Sequence, residues 1–400
     1  MKQKVVVIGH GYTSRLSIIR SVGLSGYDVD VVVICFGDPK QQNKPLDCYS
    51  KYVDKVWFSP SGDEVALVNL LLEKYSQCEQ KPVLIPESDF SVEVVDSNLD
   101  CLKDYFLIPN IDGQQGAVTE WMNKLKQKER AKSIGLNVAD YHVIPIRQGM
   151  FEIPDDINYP CFPKSIDGGK TGLGKCNSQS DLAKSLRKMA SVRSDRDVLV
   201  EEYLEIDKEY ALVGFSDGNN VCIPAILYNE TMAKGAHYGI AKGGRVLPVT
   251  EYRPLVELFK VLISSLHFVG IFDIDFLECQ GKFYFDEINL RFGGSGYAVT
   301  KAGANIPALF VDYMTTGKYA EIEIESSVQM TFVNERICID EWYAGNTSTK
   351  KFKEEITNAD ISFIKDVDDP EPYRLFERYV LSQAAKRWIR TLQSKLIKRK

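Results

Sequence analysis

Three stretches of this chain place residue types at spacings suited to phosphate and metal chemistry. In Pro163 to Lys175, PKSIDGGKTGLGK, four glycines fall between Gly168 and Gly174: Gly168, Gly169, Gly172 and Gly174. Such a loop lets backbone N–H groups approach phosphate oxygens, while Lys164 and Lys170 or Lys175 supply positive charge. A phosphate cradle is one reading and a flexible surface loop the other. A nucleotide P-loop fits less well. Gly169 to Cys176 has the GxxxxGK spacing, but Cys176 stands where Mg2+ wants a hydroxyl, and the helical pattern begins only near Ser180.

The second stretch is FDIDFLECQGKFYFDEINLRFGGSG, Phe272 to Gly296. Side chains alternate along a strand, so Glu287, Asn289 and Arg291 share a face, and a hairpin across Cys279-Gln280-Gly281 puts Asp275 roughly opposite Glu287. Two carboxylates and an amide oxygen then converge, a donor set for a hard cation such as Mg2+. The alternative is a solvated face with a salt bridge from Arg291. Charges inside runs as apolar as IFDIDFL are costly to bury without partners, which favours the cation.

The third, Val198 to Leu212, is an apolar strand ending in Glu201-Glu202-Tyr203-Leu204 with a further acid at Glu209. It reads either as a strand end for adenine and ribose or as an edge strand with exposed acids. Gly9-His10-Gly11 falls short of GxGxxG because Ser14 stands at the last glycine position. A small anionic substrate contacting His10 and Arg15 at that turn is one reading, and a plain tight turn the other. Asp89, with Ser88 and Glu87 in LIPESDF, follows an apolar strand and suits either an amine or a helix cap. Lys242 and Arg245, in the basic segment 234–245, are candidates for meeting substrate or phosphate.

Elements able to position these groups are legible in the apolar pattern. Val5 to Ile8, a helical Ser14 to Gly23 and Val29 to Phe36 read as β-α-β in a parallel sheet, extended by strands at 55–58, 82–85 and 106–108 and helices at 64–75 and 92–101. The first domain is expected at 1–117. A basic helix over 119–134 and a Pro-containing connector lead to a strand, Gly-rich loop, helix and strand in 118–204. Antiparallel strands then follow in 205–317, an extension in 318–372 and a tail in 373–400. The fold class is α/β, with an N-terminal parallel-sheet domain, a small mobile lid lobe and an antiparallel C-terminal lobe.

Composition narrows the classes. Hydrophobic residues make up 44% and charged residues 26% of the 400, a globular balance. No apolar run approaches the roughly 20 residues of a membrane span, and Gly9 and His10 interrupt any signal-peptide h-region, so a cytoplasmic protein is expected. Nine scattered cysteines and four isolated histidines argue against a disulfide framework or a zinc site. A net charge of -6 disfavours nucleic acid, although residues 386–400 hold seven Lys or Arg and no acid.

Taken in order, these motifs resemble the ATP-grasp superfamily over about residues 1–317. The resemblance implies that Lys124 and Lys164, with Gly168, Gly169, Lys170, Gly172 and Gly174, bind ATP phosphates. It gives Glu201, Glu202, Tyr203 and Leu204 to adenine, Glu209 to ribose, and Asp275, Glu287 and Asn289 to Mg2+, with two ions implied. The chain looks closest to carboxylate-amine ligases such as D-aspartate ligases, and more distantly to biotin carboxylase, which supplies the alternative of a bicarbonate-using carboxylase. A non-catalytic nucleotide-binding protein is a further alternative. The implied chemistry activates a carboxylate as an acyl phosphate that an amine then attacks. Arg291 would grip the carboxylate, and the loop at Ser295 and Gly296 would donate to the oxyanion. A homodimer is also within the family's range.

In the tail, Leu375, Phe376, Tyr379, Val380, Trp388, Leu392 and Leu396 recur at helical spacing beside Lys and Arg. A basic helix with an apolar stripe can lie on an anionic membrane, which would make the carboxylate or amine acceptor a lipid-linked cell-envelope or capsule precursor. The other reading packs the stripe on the protein's own core.

Overall fold

The computed structural model describes residues 2–166, 174–233 and 240–397, with side chains through Lys386. It divides into two compact units: unit 1 is Met1–Val118, Ala211–Asp273 and Leu290–Lys400, and unit 2 is Thr119–Tyr210 and Ile274–Asn289.

Unit 1 opens with a four-stranded sheet, β1 (Lys4–Gly9), β2 (Asp28–Cys35), β3 (Val53–Pro60) and β4 (Val83–Pro86), in the order β3-β2-β1-β4. All pairings are parallel, with Val5 opposite Val29 and Val83. Strands covered on both faces carry near-continuous apolar runs, which is why VVVI in β1 and VVVIC in β2 do not alternate; the buried Asp30 of β2 is satisfied by Lys4 and Tyr75. Val5, Val7 and Val31 pack on Ile18, Ile19 and Val22 of α1 (Tyr12–Leu24). Val6, Ile8 and Val32 pack on Leu67 and Leu71 of α2 (Glu64–Tyr75) and Val94 and Val95 of α3 (Asp89–Ser97). The expected strand at 106–108 shrinks to a single bridge between Leu107 and Val83. The helix expected over 92–101 starts earlier, at a capping box closed by Ser88 and Ser91, and breaks at Asn98.

The order 3-2-1-4 leaves a crevice between the carboxyl ends of β1 and β4, where open α/β sheets bind ligands. Gly9-His10-Gly11 leaves β1 there and Glu87-Ser88-Asp89 leaves β4. On α1, Arg20 is fully buried. It donates to Asp369 Oδ2 (2.9 Å) and to the carbonyls of Phe363, Ile364 and Asp369 at 2.9–3.0 Å.

The rest of unit 1 includes an antiparallel ladder of Ile226–Met232, Ala241–Leu247 and Met330–Val333. The helix Glu371–Ile397 buries Phe376 and packs Tyr379 and Val380 against Ile339, Trp342 and Phe352. That part of the apolar stripe therefore faces the protein's own core. Trp388, Leu392 and Leu396 lie outside the described side chains. Among the described residues no helix is long and apolar enough to cross a membrane.

Unit 2 holds a three-stranded antiparallel sheet with Arg196–Glu202 between Tyr141–Ile146 and Cys161–Ser165. Val198 and Val200 face inward onto Leu182, Leu186 and Met189 of the helix Gln179–Val192. By alternation, Glu201 and Lys164 fall on the opposite face. The helix expected over 119–134 is two: Ala117–Trp121, then Lys124–Ser133, restarted by the Asn123 side chain, which accepts from Leu125 N and Lys126 N (3.0 and 3.1 Å). The expected hairpin forms, but Cys279 still belongs to its first strand and the turn is the two residues Gln280 and Gly281, both at positive φ (50° and 73°).

Candidate active site

In unit 2, Lys124, Gln127 and Lys128 occupy one face of the helix Lys124–Ser133, at i, i+3 and i+4. The Gln127 amide clamps that helix to the hairpin: its Nε2 donates to Ile288 O and its Oε1 accepts from Ile288 N, both 2.9 Å. This brings three amino groups among three carboxylates. Lys124 pairs with Glu287, and Lys128 reaches Glu201 (2.6 Å) and Asp286 (3.8 Å). Lys164 bonds Glu201 (2.9 Å) and also Asp286.

The cluster is graded in burial. The Lys128 and Glu201 side chains are 1% and 5% exposed, whereas Lys124 and Glu287, at 21% and 26%, are only partly buried. Burial opposes charge on Lys164, but Asp286 and Glu201 outweigh it and hold the ammonium above the ordinary lysine range. Burial likewise opposes charge on Asp286, yet Lys164, Lys128 and Lys124 hold its carboxyl well below the usual carboxylate range. Lys124 goes the other way. Burial, with the Lys164 and Lys128 ammoniums nearby, pulls its amino group down despite Asp286 and Asp275. Glu209 is raised by burial and by Asp275 and Asp286. An anion arriving beside Lys124 relieves its cation–cation repulsion, so the lysine face is electrostatically prepared for phosphate oxygens.

Asn289 Nδ2 donates to Asp275 Oδ2 (3.3 Å), so two members of the expected cation set stand together, while Glu287 is engaged by Lys124. Among the described residues no three His, Cys, Asp or Glu groups gather into a metal cluster by themselves. The available donors are carboxylate and amide oxygens, a hard set that fits Mg2+ completed by phosphate oxygens. The Glu201 carboxylate is committed to two lysines. For a nucleotide at that strand end this leaves the backbone, the exposed Glu202, Tyr203 and Leu204. Lys175 pairs with Glu205 (2.8 Å) and lies 4.1 Å over the Tyr203 ring. Gly168, Gly169, Lys170 and Gly172 lie outside the described residues; Gly174 has φ 150°.

Unit 1 gathers a second cluster at the β1/β4 crevice. The buried Glu87 carboxylate accepts from Gly11 N (3.1 Å) and from Ser14 Oγ. Burial pushes its carboxyl up against the pull of Ser14, Arg15 and Gly11. Ser14, the residue that spoils GxGxxG, thus serves this carboxylate. His10 contacts Ser61 Oγ through Nε2 (2.9 Å) and Ser88 Oγ through Nδ1 (3.3 Å). Arg291 Nε donates to Asp89 Oδ1 (2.6 Å).

A Cβ on Gly9 would lie 2.1 Å from Glu87 Oε2 and 2.9 Å from Glu87 Cβ. Gly9→Ala is therefore expected to cost about 1–3 kcal/mol, the scale of overpacking. Thermal unfolding checks this, and a melt equal to wild type contradicts the close approach.

Other expected contacts are turned inward. Arg15, fully buried, forks onto Asp47 (2.6 and 3.1 Å) and donates to Gly9 O (2.5 Å), so it shapes the turn rather than facing a substrate. Lys242 is buried between Glu341 (3.2 Å) and Glu355 (2.8 Å), which occupies its charge in packing. Arg245 pairs with Glu230 (2.8 Å). Gly296 N donates to Gly293 O (3.1 Å), which takes up the N–H expected to meet an oxyanion, and the Ser295 side chain makes no capping bond. The sequence reading passed over Lys128 and Asp286. The i+4 spacing from Lys124 was the available signal for the first, and adjacency to Glu287 the only one for the second.

Residues 129–308 match the ATP-grasp domain. The chain is 24% identical over 294 residues to N5-carboxyaminoimidazole ribonucleotide synthase of Staphylococcus aureus, covering 73% of this chain and 71% of that one. Its fold is similar to that of an L-amino acid ligase from Bacillus licheniformis (TM-score 0.58, 16% identity, 79% of this chain and 74% of that one). It is also similar to that of a biotin carboxylase from Campylobacter jejuni in complex with β,γ-ATP (TM-score 0.64, 17% identity, 83% and 75%).

Proposed function

We propose, from the premise that this chain carries an ATP-grasp domain, that it is an ATP- and Mg2+-dependent ligase joining a carboxylate to an amine. The observation that supports this most is the interleaving of Lys124, Lys128 and Lys164 with Glu201, Asp286 and Glu287. Lys124 and Lys164 bind the polyphosphate, Glu201 and Asp286, themselves paired with Lys128, hold Lys164 in place, and Glu209 and Glu202 lie toward the nucleoside. Asp275, Glu287 and Asn289 would hold Mg2+, which supplies neutralisation of phosphate charge.

In the first step a substrate carboxylate oxygen attacks the γ-phosphorus and ADP leaves. In the second the amine nitrogen attacks the acyl carbon, phosphate leaves, and the amine proton passes to solvent. Such transfers need positioning and charge neutralisation more than covalent help from the protein. In unit 1, Glu87, His10, Asp89 and Arg291 mark the crevice for an organic substrate, Arg291 suiting a carboxylate by its fork.

Phosphate release from ATP is expected only when an acid and an amine are both supplied, with hydroxylamine trapping the acyl phosphate. No release in any combination, and no hydroxamate, overturns the proposal. The likeness to N5-carboxyaminoimidazole ribonucleotide synthase favours a second reading, transfer of bicarbonate carbon to an amine. Bicarbonate-dependent turnover without another acid selects it.

A lipid-linked acceptor at an anionic membrane is the finer proposal. It rests on the seven basic residues of 386–400. Sedimentation with anionic but not neutral vesicles tests it.

A further inference from the structure

We propose that the β1/β4 crevice takes an aromatic α-amino acid as the amine substrate, its ring on Phe36, His10 and Phe90 and its charged ends at Asp89 and Arg291. This rests on the ligase reading for the fate of the amino acid, but not for its binding.

Phe36, just beyond the end of β2, is 80% exposed. A single exposed ring is ordinary on a protein surface; one that continues into further rings at the mouth of a ligand crevice offers a recognition surface. The ring is not isolated. The His10 ring lies 5.7 Å from Phe36, tilted by 34°, and 5.8 Å from Phe90, edge-on at 65°. These three rings make a shelf of the kind on which another ring packs offset or edge-on. Burial and Arg15 lower the His10 pKa, so at neutral pH the imidazole is uncharged and does not repel an ammonium.

The polar end lies at the same strand end: Arg291 interacts with both Glu87 and Asp89, which flank the Ser88 that bonds His10. Phe90 follows Asp89, whose carboxylate pairs with Arg291, and Ser88 before it bonds His10. The Asp89 side chain is 61% exposed, so exchanging this ion pair for a zwitterion costs little. Asp89 then meets the ammonium and Arg291 the carboxylate, with the ring directed back along Phe90 and His10 to Phe36. A small amino acid satisfies the charges but leaves the shelf wet.

Isothermal titration of the full chain without ATP, using L-phenylalanine and L-alanine, tests this directly. L-phenylalanine is expected to bind at least about tenfold tighter than L-alanine, one ring contact's worth of discrimination. Phe36→Ala should abolish that ratio and Phe36→Tyr restore it; an exposed residue is not needed for folding. Equal binding of the two amino acids, or a ratio that survives Phe36→Ala, overturns the proposal. Ring-selective binding with no phosphate release from any acid sinks the ligase reading and leaves the shelf standing. Turnover without ring selectivity does the reverse.

Discussion

Glu287→Gln is expected to lower ATP-dependent phosphate release by about 10²–10³-fold while leaving thermal unfolding where it was, the loss seen when one charge-stabilising group is removed from a reacting centre. Gln keeps the size and shape of the side chain but takes away the negative charge that pairs with Lys124 and would hold a hard cation. The side chain is 26% exposed, so its ion pair adds little to stability. Steady-state kinetics and a thermal melt on the same preparation check both halves. Turnover within the scatter of wild type removes Glu287 from the proposed Mg2+ set. A fallen melting temperature assigns it to packing instead.

Lys128→Met acts through the other end of the same cluster. Lys128 is buried against Glu201 and Asp286, and removing one partner of a buried ion pair strands the others in a low dielectric. The expected cost is about 3–5 kcal/mol, read by hydrogen exchange of residues 119–210 during urea titration. The pH dependence has a definite sign. Because the folded Asp286 carboxyl is held below its ordinary range, its pairs contribute fully above the unfolded pKa of about 3.9 and are lost as pH falls below it. Wild-type unit 2 should therefore lose stability on acidification below about pH 4. The variant, with one cation fewer beside Asp286, should lose less over the same range. A variant as stable as wild type shows that Lys128 contributes no more than a surface lysine.

The parallel sheet was legible because strands covered on both faces carry near-continuous apolar runs, and VVVI in β1 and VVVIC in β2 announce this without any partner being known. The hairpin was legible because Gln280-Gly281 is local chemistry. Lys128 was not: in KLKQKERAKS four lysines look alike, and only the packing of Gln127 on Ile288 decides which of them point at the carboxylates. Glu201 had the residue type of a nucleotide contact, but its role was fixed by two lysines 73 and 37 positions away. Arg291 finds Asp89 across 202 residues, a separation no periodicity encodes. Lys242 failed as a candidate for the same reason, since its partners Glu341 and Glu355 lie about a hundred residues downstream.

The burial of Arg20 against Asp369 sets the order in which the chain can finish. Its guanidinium sits in the first helix, yet every hydrogen-bond acceptor given above for it lies between Phe363 and Asp369. During synthesis unit 2 has both of its segments once Asn289 is made, whereas unit 1 waits for Asp369, 80 residues later. At about 5–20 residues per second, the ribosome holds the chain for about 4–16 s with the first domain started and its charge uncompensated. In that interval α1 lays Ile18, Ile19 and Val22 on the sheet while Arg20, on its far face, still lacks its acceptors. The nascent protein thus has every residue of its lysine cluster before its first helix has any of these partners for the guanidinium it will bury.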